Sequence, residues 1–230
     1  MPVKDKGKER ASFVVAISGA SGALYGLTLI RELLSGGFDV DMLITKAGLL
    51  IMRQEAGLKL EAPDDIVAEV LEKLKANSPD VGGAPGTRAA ELKGRLTYTL
   101  PDEMVSPLAS GSSLRRAMII CPCSMGSLAR VASGISLNLI ERAADCILKE
   151  GGRLVIVPRE TPLSRIHLRN MLTLSEMGVT IVPAMPAFYQ GPETIEDIIN
   201  FVVGKVLDTV GVENNLYKRW NGLEMENNGR

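Results

Sequence analysis

The chain has 230 residues, 46% of them hydrophobic, enough apolar material for one α/β core of ordinary size. Its 26 basic and 27 acidic residues leave a net charge of −1, which gives no electrostatic basis for binding nucleic acid or an acidic membrane. Three cysteines, two of them in Cys121-Pro122-Cys123, cannot frame a disulfide scaffold, and no segment stays apolar for about 18 residues. With a charged start, MPVKDKGKER, the protein is expected to be cytoplasmic.

Residues 1–12 read as a disordered tail, 13–212 as one folded domain and 213–230 as a second tail. The domain opens on VVAISGASGALYGLTLI (14–30), in which a run of β-formers breaks into a small-residue turn at 18–22 and resumes with a helical period. FDVDMLIT (38–45) predicts a second strand, 47–55 a helix, and 64–76 an amphipathic helix. Residues 77–94, rich in Gly and Pro, read as a loop; RLTYTL (95–100) is a short strand and PLASGSS (107–113) a small-residue loop. AMIICP (117–122) is a buried strand, with helical periodicity over 124–132 and 138–149. RLVIVP (153–158) and VTIVP (179–183) are further strands flanking a helix that opens near Pro162, and 194–210 closes the domain as a helix. Strands that are apolar without alternation, each followed by a helix, predict a three-layer, doubly wound, mostly parallel sheet of Rossmann or flavodoxin type. There is no internal repeat.

In such sheets ligands bind beyond the carboxyl ends of the strands. Those positions carry Ser18-Gly19-Ala20-Ser21-Gly22, Thr45-Lys46, Cys121-Pro122-Cys123-Ser124, Pro158-Arg159-Glu160-Thr161 and Pro183-Ala184-Met185-Pro186. The first turn offers backbone N–H groups to an anion at a helix start, or it merely packs helix on strand. It is not GxGxxG, and Thr45-Lys46 stands where a ribose-binding acid would, so a ligand there resembles a mononucleotide such as FMN more than a dinucleotide. Arg142 and Lys149, seven apart on one helix, share a face suited to phosphate, unless Glu141, Asp145 and Glu150 simply neutralise a solvated surface. Arg159-Glu160 brings a cation and a proton-transfer acid to the sheet edge, or else a helix cap with an exposed Arg. Glu55 ends a largely apolar helix and reads most simply as a surface acid; Tyr189, between two Pro-marked turns, is a candidate for a pocket mouth. His167 is the only histidine, which removes His-based triads and His-rich metal sites, and Cys121-x-Cys123 lacks zinc spacing. Both thiols, Cys121 and Cys123, read as small buried packers and His167 as a helix-face residue.

Taken together, SGASGALYGLTLI, TKAG, ASGSS, CPCSMGSLA, NLIERAADCILKE, LVIVPRETPLSRIHLRNM and PAMPAFYQGPETIEDIINFVVGKVLD resemble the UbiX/Pad-type flavin prenyltransferases over most of residues 13–210. PRETP with ERAAD and LKE is the specific part; the glycine turn is shared with other flavoproteins. The resemblance implies a flavodoxin-like flavoprotein domain in a homo-oligomer, typically a dodecamer, with reduced FMN between protomers and no metal. It implies transfer of dimethylallyl from dimethylallyl phosphate to N5 and then C6 of the flavin, the product passing to a UbiD-type decarboxylase. By carry-over, Ser18, Gly19, Ala20, Ser21, Thr45, Ser110, Ser112, Ser124, Met125 and Arg142 would hold the flavin. Gly111, Arg142, Lys149, Arg159, Glu160, Tyr189 and Lys205 would surround the prenyl phosphate, with Glu160, Ser21 and Glu55 as the catalytic set. Lys205 stands where relatives often carry Arg, and Met104 where some place Trp. The competing readings are a cysteine decarboxylase of the phosphopantothenoylcysteine type, whose active-site His and Asn loop are missing here, and a non-catalytic FMN-binding subunit.

Overall fold

The computed structural model describes residues 10–76, 91–111 and 115–220. Six strands, β1 (Ser12–Ile17), β2 (Asp39–Ile44), β3 (Leu96–Thr99), β4 (Ala117–Cys123), β5 (Leu154–Pro158) and β6 (Thr180–Ile181), form one sheet in the order β3-β2-β1-β4-β5-β6. Every pairing is parallel. This is the Rossmann strand order, so of the two topologies the sequence leaves open the flavodoxin one is not adopted. The strands are apolar throughout because both faces are covered. Phe13, Val15 and Ile17 pack under α1 (Ala23–Ser35), α2 (Lys46–Ala56), α3 (Ile66–Ala76) and α7 (Ile195–Thr209). Val14 and Ala16, pointing the other way, pack under α4 (Met125–Ala132), α5 (Leu139–Lys149) and α6 (Arg165–Glu176).

Element boundaries follow local chemistry. The last strand has a two-residue ladder at the sheet edge, not the five-residue run of its sequence, although Val182 and Ala184 still donate their N–H groups to Ile156 O and Pro158 O of β5. Pro183, whose nitrogen would face the open edge, is tolerated there. Helix α6 starts at Arg165, not Pro162: Ser164 accepts the His167 N–H while His167 Nδ1 accepts the Ser164 N–H, a reciprocal cap that gives the lone histidine its role. Of the predicted loop at 77–94, residues 77–90 lie outside the described residues.

The chain remains attached to the domain past residue 212. Asp208 on α7 accepts hydrogen bonds from Tyr217 Oη (2.5 Å), Asn214 Nδ2 (2.9 Å) and both terminal nitrogens of Arg219 (2.8 and 3.0 Å), laying residues 213–220 of the expected tail back over the helix. The Arg219 guanidinium holds the Asp208 carboxyl below its usual range.

Between β1 and β4 the order reverses, so the loops leaving their carboxyl ends diverge and open a crevice. Helix α1 lies unusually close to this point: a Cβ on Gly26 would stand 2.5 Å from the Cys121 carbonyl oxygen and 2.9 Å from Ile17 Cδ1. Gly26→Ala must therefore push α1 off the sheet. It is expected to destabilise by about 1–3 kcal/mol, which a thermal melt would read as a loss of about 2–4 °C in Tm per kcal/mol.

Candidate active site

The carboxyl edge is tied together from within. Ser18 is fully buried; its hydroxyl donates to Pro122 O (3.1 Å) and accepts the Ser124 N–H (2.7 Å), and its own N–H goes to Pro122 O (3.2 Å). Its donors are thus spent on joining the β1 and β4 loops, so Ser18 positions the small-residue turn that follows it. Thr45 donates its N–H to Ile17 O (3.0 Å) and caps α2 by accepting the Gly48 N–H (2.9 Å), and Ser124 caps α4 in the same way through Ser127. Met125 is buried beneath that cap and Ala20 beneath the first turn, whereas Ser21 is exposed.

The start of α1 is not vacant for an anion. The Glu55 carboxylate, from the last turn of α2, accepts the N–H of Gly22 (2.8 Å) and of Ala23 (2.8 Å). A resident carboxylate thus meets the helix dipole at these two amides. Nor is Glu55 a mere surface acid. Removing it leaves two amides uncapped, so Glu55→Ala should cost about 1–3 kcal/mol in denaturant unfolding and Glu55→Gln, which keeps one acceptor oxygen, measurably less.

Across the crevice, Arg159 donates from Nε to Ser21 O (2.9 Å), so the β5 loop grips the glycine turn. The adjacent Glu160 is exposed and accepts the Thr161 N–H (2.9 Å). Tyr25, which sequence reasoning did not single out, stands in the same place: burial pushes its phenol pKa up, the nearby Cys121 adds to this, and the charge of Arg159 pulls it down. Its spacing of three from Gly22, on the same helix start, was the available signal.

A second group gathers where α5 meets the 107–111 loop. Arg142 Nε donates to Ala109 O (3.2 Å) and its Nη1 pairs with Asp145 (2.8 Å); Lys149 Nζ pairs with Glu150 Oε1 (2.8 Å). The seven-residue spacing does place both cations toward one loop. Ser110 and Gly111 line a cleft of about 70 Å³ with Cys146, Glu150 and Arg115. Both cations keep an acid partner, as the bland alternative required, with one exception: Glu141 is 1% exposed and pairs with Arg130, Leu137 N and Asn138, not with the solvated face. A third group surrounds Phe201 on α7: Tyr189 stacks edge-on to it (6.1 Å) and to Trp220 (5.6 Å), and Lys205 Nζ lies over Phe201 (5.8 Å) and Tyr217 (5.0 Å). Ser112 lies outside the described residues.

A family model for flavoproteins matches residues 3–207. The flavin prenyltransferase UbiX of Halalkalibacterium halodurans is 46% identical over 218 residues, covering 95% of this chain and 97% of that one. The chain belongs to the flavin prenyltransferase family. Among solved structures, AnUbiX in complex with FMN and dimethylallyl pyrophosphate superposes with a TM-score of 0.77 at 35% identity, over 94% of this chain and all of that one. A dodecameric FMN-dependent UbiX-like decarboxylase from Escherichia coli superposes at 0.75 with 36% identity, over 92% of this chain and all of that one.

Within this flavin prenyltransferase chain the expected site residues fall on two edges of the sheet. Ser21, Thr45, Ser124, Arg159 and Glu160 follow strand ends at the carboxyl edge, whereas Lys149 and Gly111, with Glu150 between them, lie by the entry to β5, at the amino edge; Glu150 itself was expected only as a neutralising partner. Among the described residues, no three His, Cys, Asp or Glu side chains converge as a metal site would require, and no helix is long and apolar enough to cross a membrane. The family's Cys-Pro-Cys segment is core: Cys121, Cys123 and Cys146 are buried, and burial pushes the Cys121 thiol pKa well up and that of Cys123 to about 12. With the Cys121 and Cys123 thiolates disfavoured and all three thiols buried, all three should resist a thiol-disulfide reagent at pH 8 in the native protein and react at once in denaturant, a contrast read directly by absorbance.

Proposed function

We propose that this chain is a flavin prenyltransferase that moves the dimethylallyl group of dimethylallyl phosphate to N5 and then C6 of reduced FMN, making prenylated FMN for a UbiD-type decarboxylase. The observation that carries this reading is the Arg159 guanidinium bound to Ser21 O with Glu160 beside it: a cation and an acid held against the glycine turn at the switch point. A simple flavin carrier has no need of that pair.

Reduced FMN, when bound, supplies the nucleophilic nitrogen and carbon that accept the allyl group. The chain supplies the rest. Exposed Ser21, the 19–21 backbone, Thr45, Ser110, Ser124 and Met125 would hold the flavin, away from the α1 amides that Glu55 occupies. Breaking the allylic C–O bond leaves charge on the departing phosphate, which Arg142, Lys149, Arg159 and Lys205, with Tyr189 and the Gly111 backbone, would stabilise. Glu160 would hold and return the proton. Lys205 offers a point charge and no fork, and aromatic rings already hold it in place.

The separation of these groups over two sheet edges supports a homo-oligomer in which a second copy of the chain completes each site. The Escherichia coli relative is dodecameric, and the same assembly is proposed here. A protein of this kind would work in the cytoplasm, beside its decarboxylase.

The test is anaerobic incubation with reduced FMN and dimethylallyl phosphate, followed by the mass of the released flavin. A gain of one C5H8 unit is expected, with Glu160→Gln slowing turnover by about 10²–10⁴-fold and Lys149→Ala by about 10²–10³-fold. FMN recovered unchanged with both the monophosphate and the diphosphate would replace this reading with that of a flavin-binding subunit.

A further inference from the structure

The cleft at the end of α5 contains more negative charge than a phosphate site needs. Glu150 Oε1 lies 2.8 Å from Lys149 Nζ, and a Cβ on Gly111 would stand only 2.3 Å from the same oxygen. The carboxylate therefore lies against both the cation and the loop backbone that the proposed function assigns to the donor's phosphate, and with Gly111 it lines a cleft of about 70 Å³. Arg115, the cation that lines this cleft, is taken by Asp41 at 2.7 Å, and Lys149 stands at its margin, reached through Glu150. Any anion reaching Lys149 meets Glu150 at close range.

We infer that Glu150 is a specificity-determining residue: its carboxylate, fixed between Lys149 and Gly111, selects a donor with one phosphate over the same donor with two. The inference rests on the proposed prenyl-transfer reading. Its physical basis is simple. Lys149 attracts either donor, but Glu150 repels each in proportion to its charge, and a diphosphate adds at least one further negative charge beyond the first phosphate. Glu150 further holds the Lys149 amine protonated by hydrogen bond and charge, so the cation persists at working pH. A partly exposed charge pair changes affinity by up to about fivefold per unit charge, which sets the size of the effect.

The assembled protein would be assayed with reduced FMN and each donor, comparing wild type, Glu150→Gln and Glu150→Asp. Glu150→Gln is expected to raise the ratio of kcat/KM for diphosphate over monophosphate by about fivefold, through KM and not kcat, with Glu150→Asp returning most of the preference for the monophosphate. In parallel, calorimetric titration of the protein with inorganic phosphate and with pyrophosphate should show the same shift in their Kd ratio. Ratios unchanged by Glu150→Gln in both measurements, or a change confined to kcat, would overturn the inference. If wild-type protein leaves FMN unmodified with either donor, the prenyltransferase reading falls, while the titrations still decide whether Glu150 discriminates between the two anions.

Discussion

One buried hydroxyl ties together the loops that leave the two halves of the sheet. Ser18 ends β1, and its Oγ bridges Pro122 O and the Ser124 N–H at the end of β4, where the strand order reverses and the loops part. Beyond the ladder, a backbone bond from the Ser18 N–H to Pro122 O also links these loops, and the hydroxyl adds two more. Arg159, reaching from the end of β5 to Ser21 O, spans the same gap from the next strand. The crevice therefore has a width set by three strands at once, and the groups on its rim inherit that rigidity. A site built on strand ends gains its precision this way.

Internal neutralisation governs the charges. The α1 dipole is met by Glu55, Arg142 by Asp145, Lys149 by Glu150, Arg115 by Asp41 and Arg130 by the buried Glu141. Along α5 the cations are thus individually balanced and form no basic patch, whereas Arg159 is held by a carbonyl and Lys205 by aromatic rings. An anionic ligand has to displace or share each carboxylate, and what distinguishes one anion from another is how many of those carboxylates it can tolerate. Balanced cations also keep the empty site from the self-repulsion that a cluster of bare guanidinium and ammonium groups would impose.

The fold could be read from sequence because its physics is local and repetitive. Leu154 to Val157 and Ala117 to Cys121 are apolar on both faces, which only a covered parallel strand explains, and Arg142 and Lys149 share a face by helix geometry alone. What escaped was long-range. Nothing near Glu55 announces that its partners are the amides of Gly22 and Ala23, more than thirty residues earlier, and nothing near Ser18 announces Ser124. Glu141 looked like a surface acid because its neighbours are charged; its burial follows from the way the 135–138 segment folds over it to donate the Leu137 N–H. The strand order, too, depends on which crossovers bring β4 beside β1, which periodicity within a segment does not encode.

Two further features bear on assembly. Leu139 N donates to Pro101 O, setting the 100–105 and 135–137 segments side by side, and there Val105 is 92% and Leu137 76% exposed. Phe188 and Ile195, before and at the start of α7, are 70% and 74% exposed. Single apolar side chains on a surface need no explanation, but paired segments of them beside a charged site do. Burying them against neighbouring copies would remove this apolar surface from water and also exclude water from the adjoining crevice, where a departing phosphate must be stabilised by fixed groups and the allyl group needs an apolar enclosure. The same contacts would bring the carboxyl-edge residues of one copy toward the α5 cations of another, so that the charges placed on opposite edges of a single sheet become neighbours only in the assembled protein.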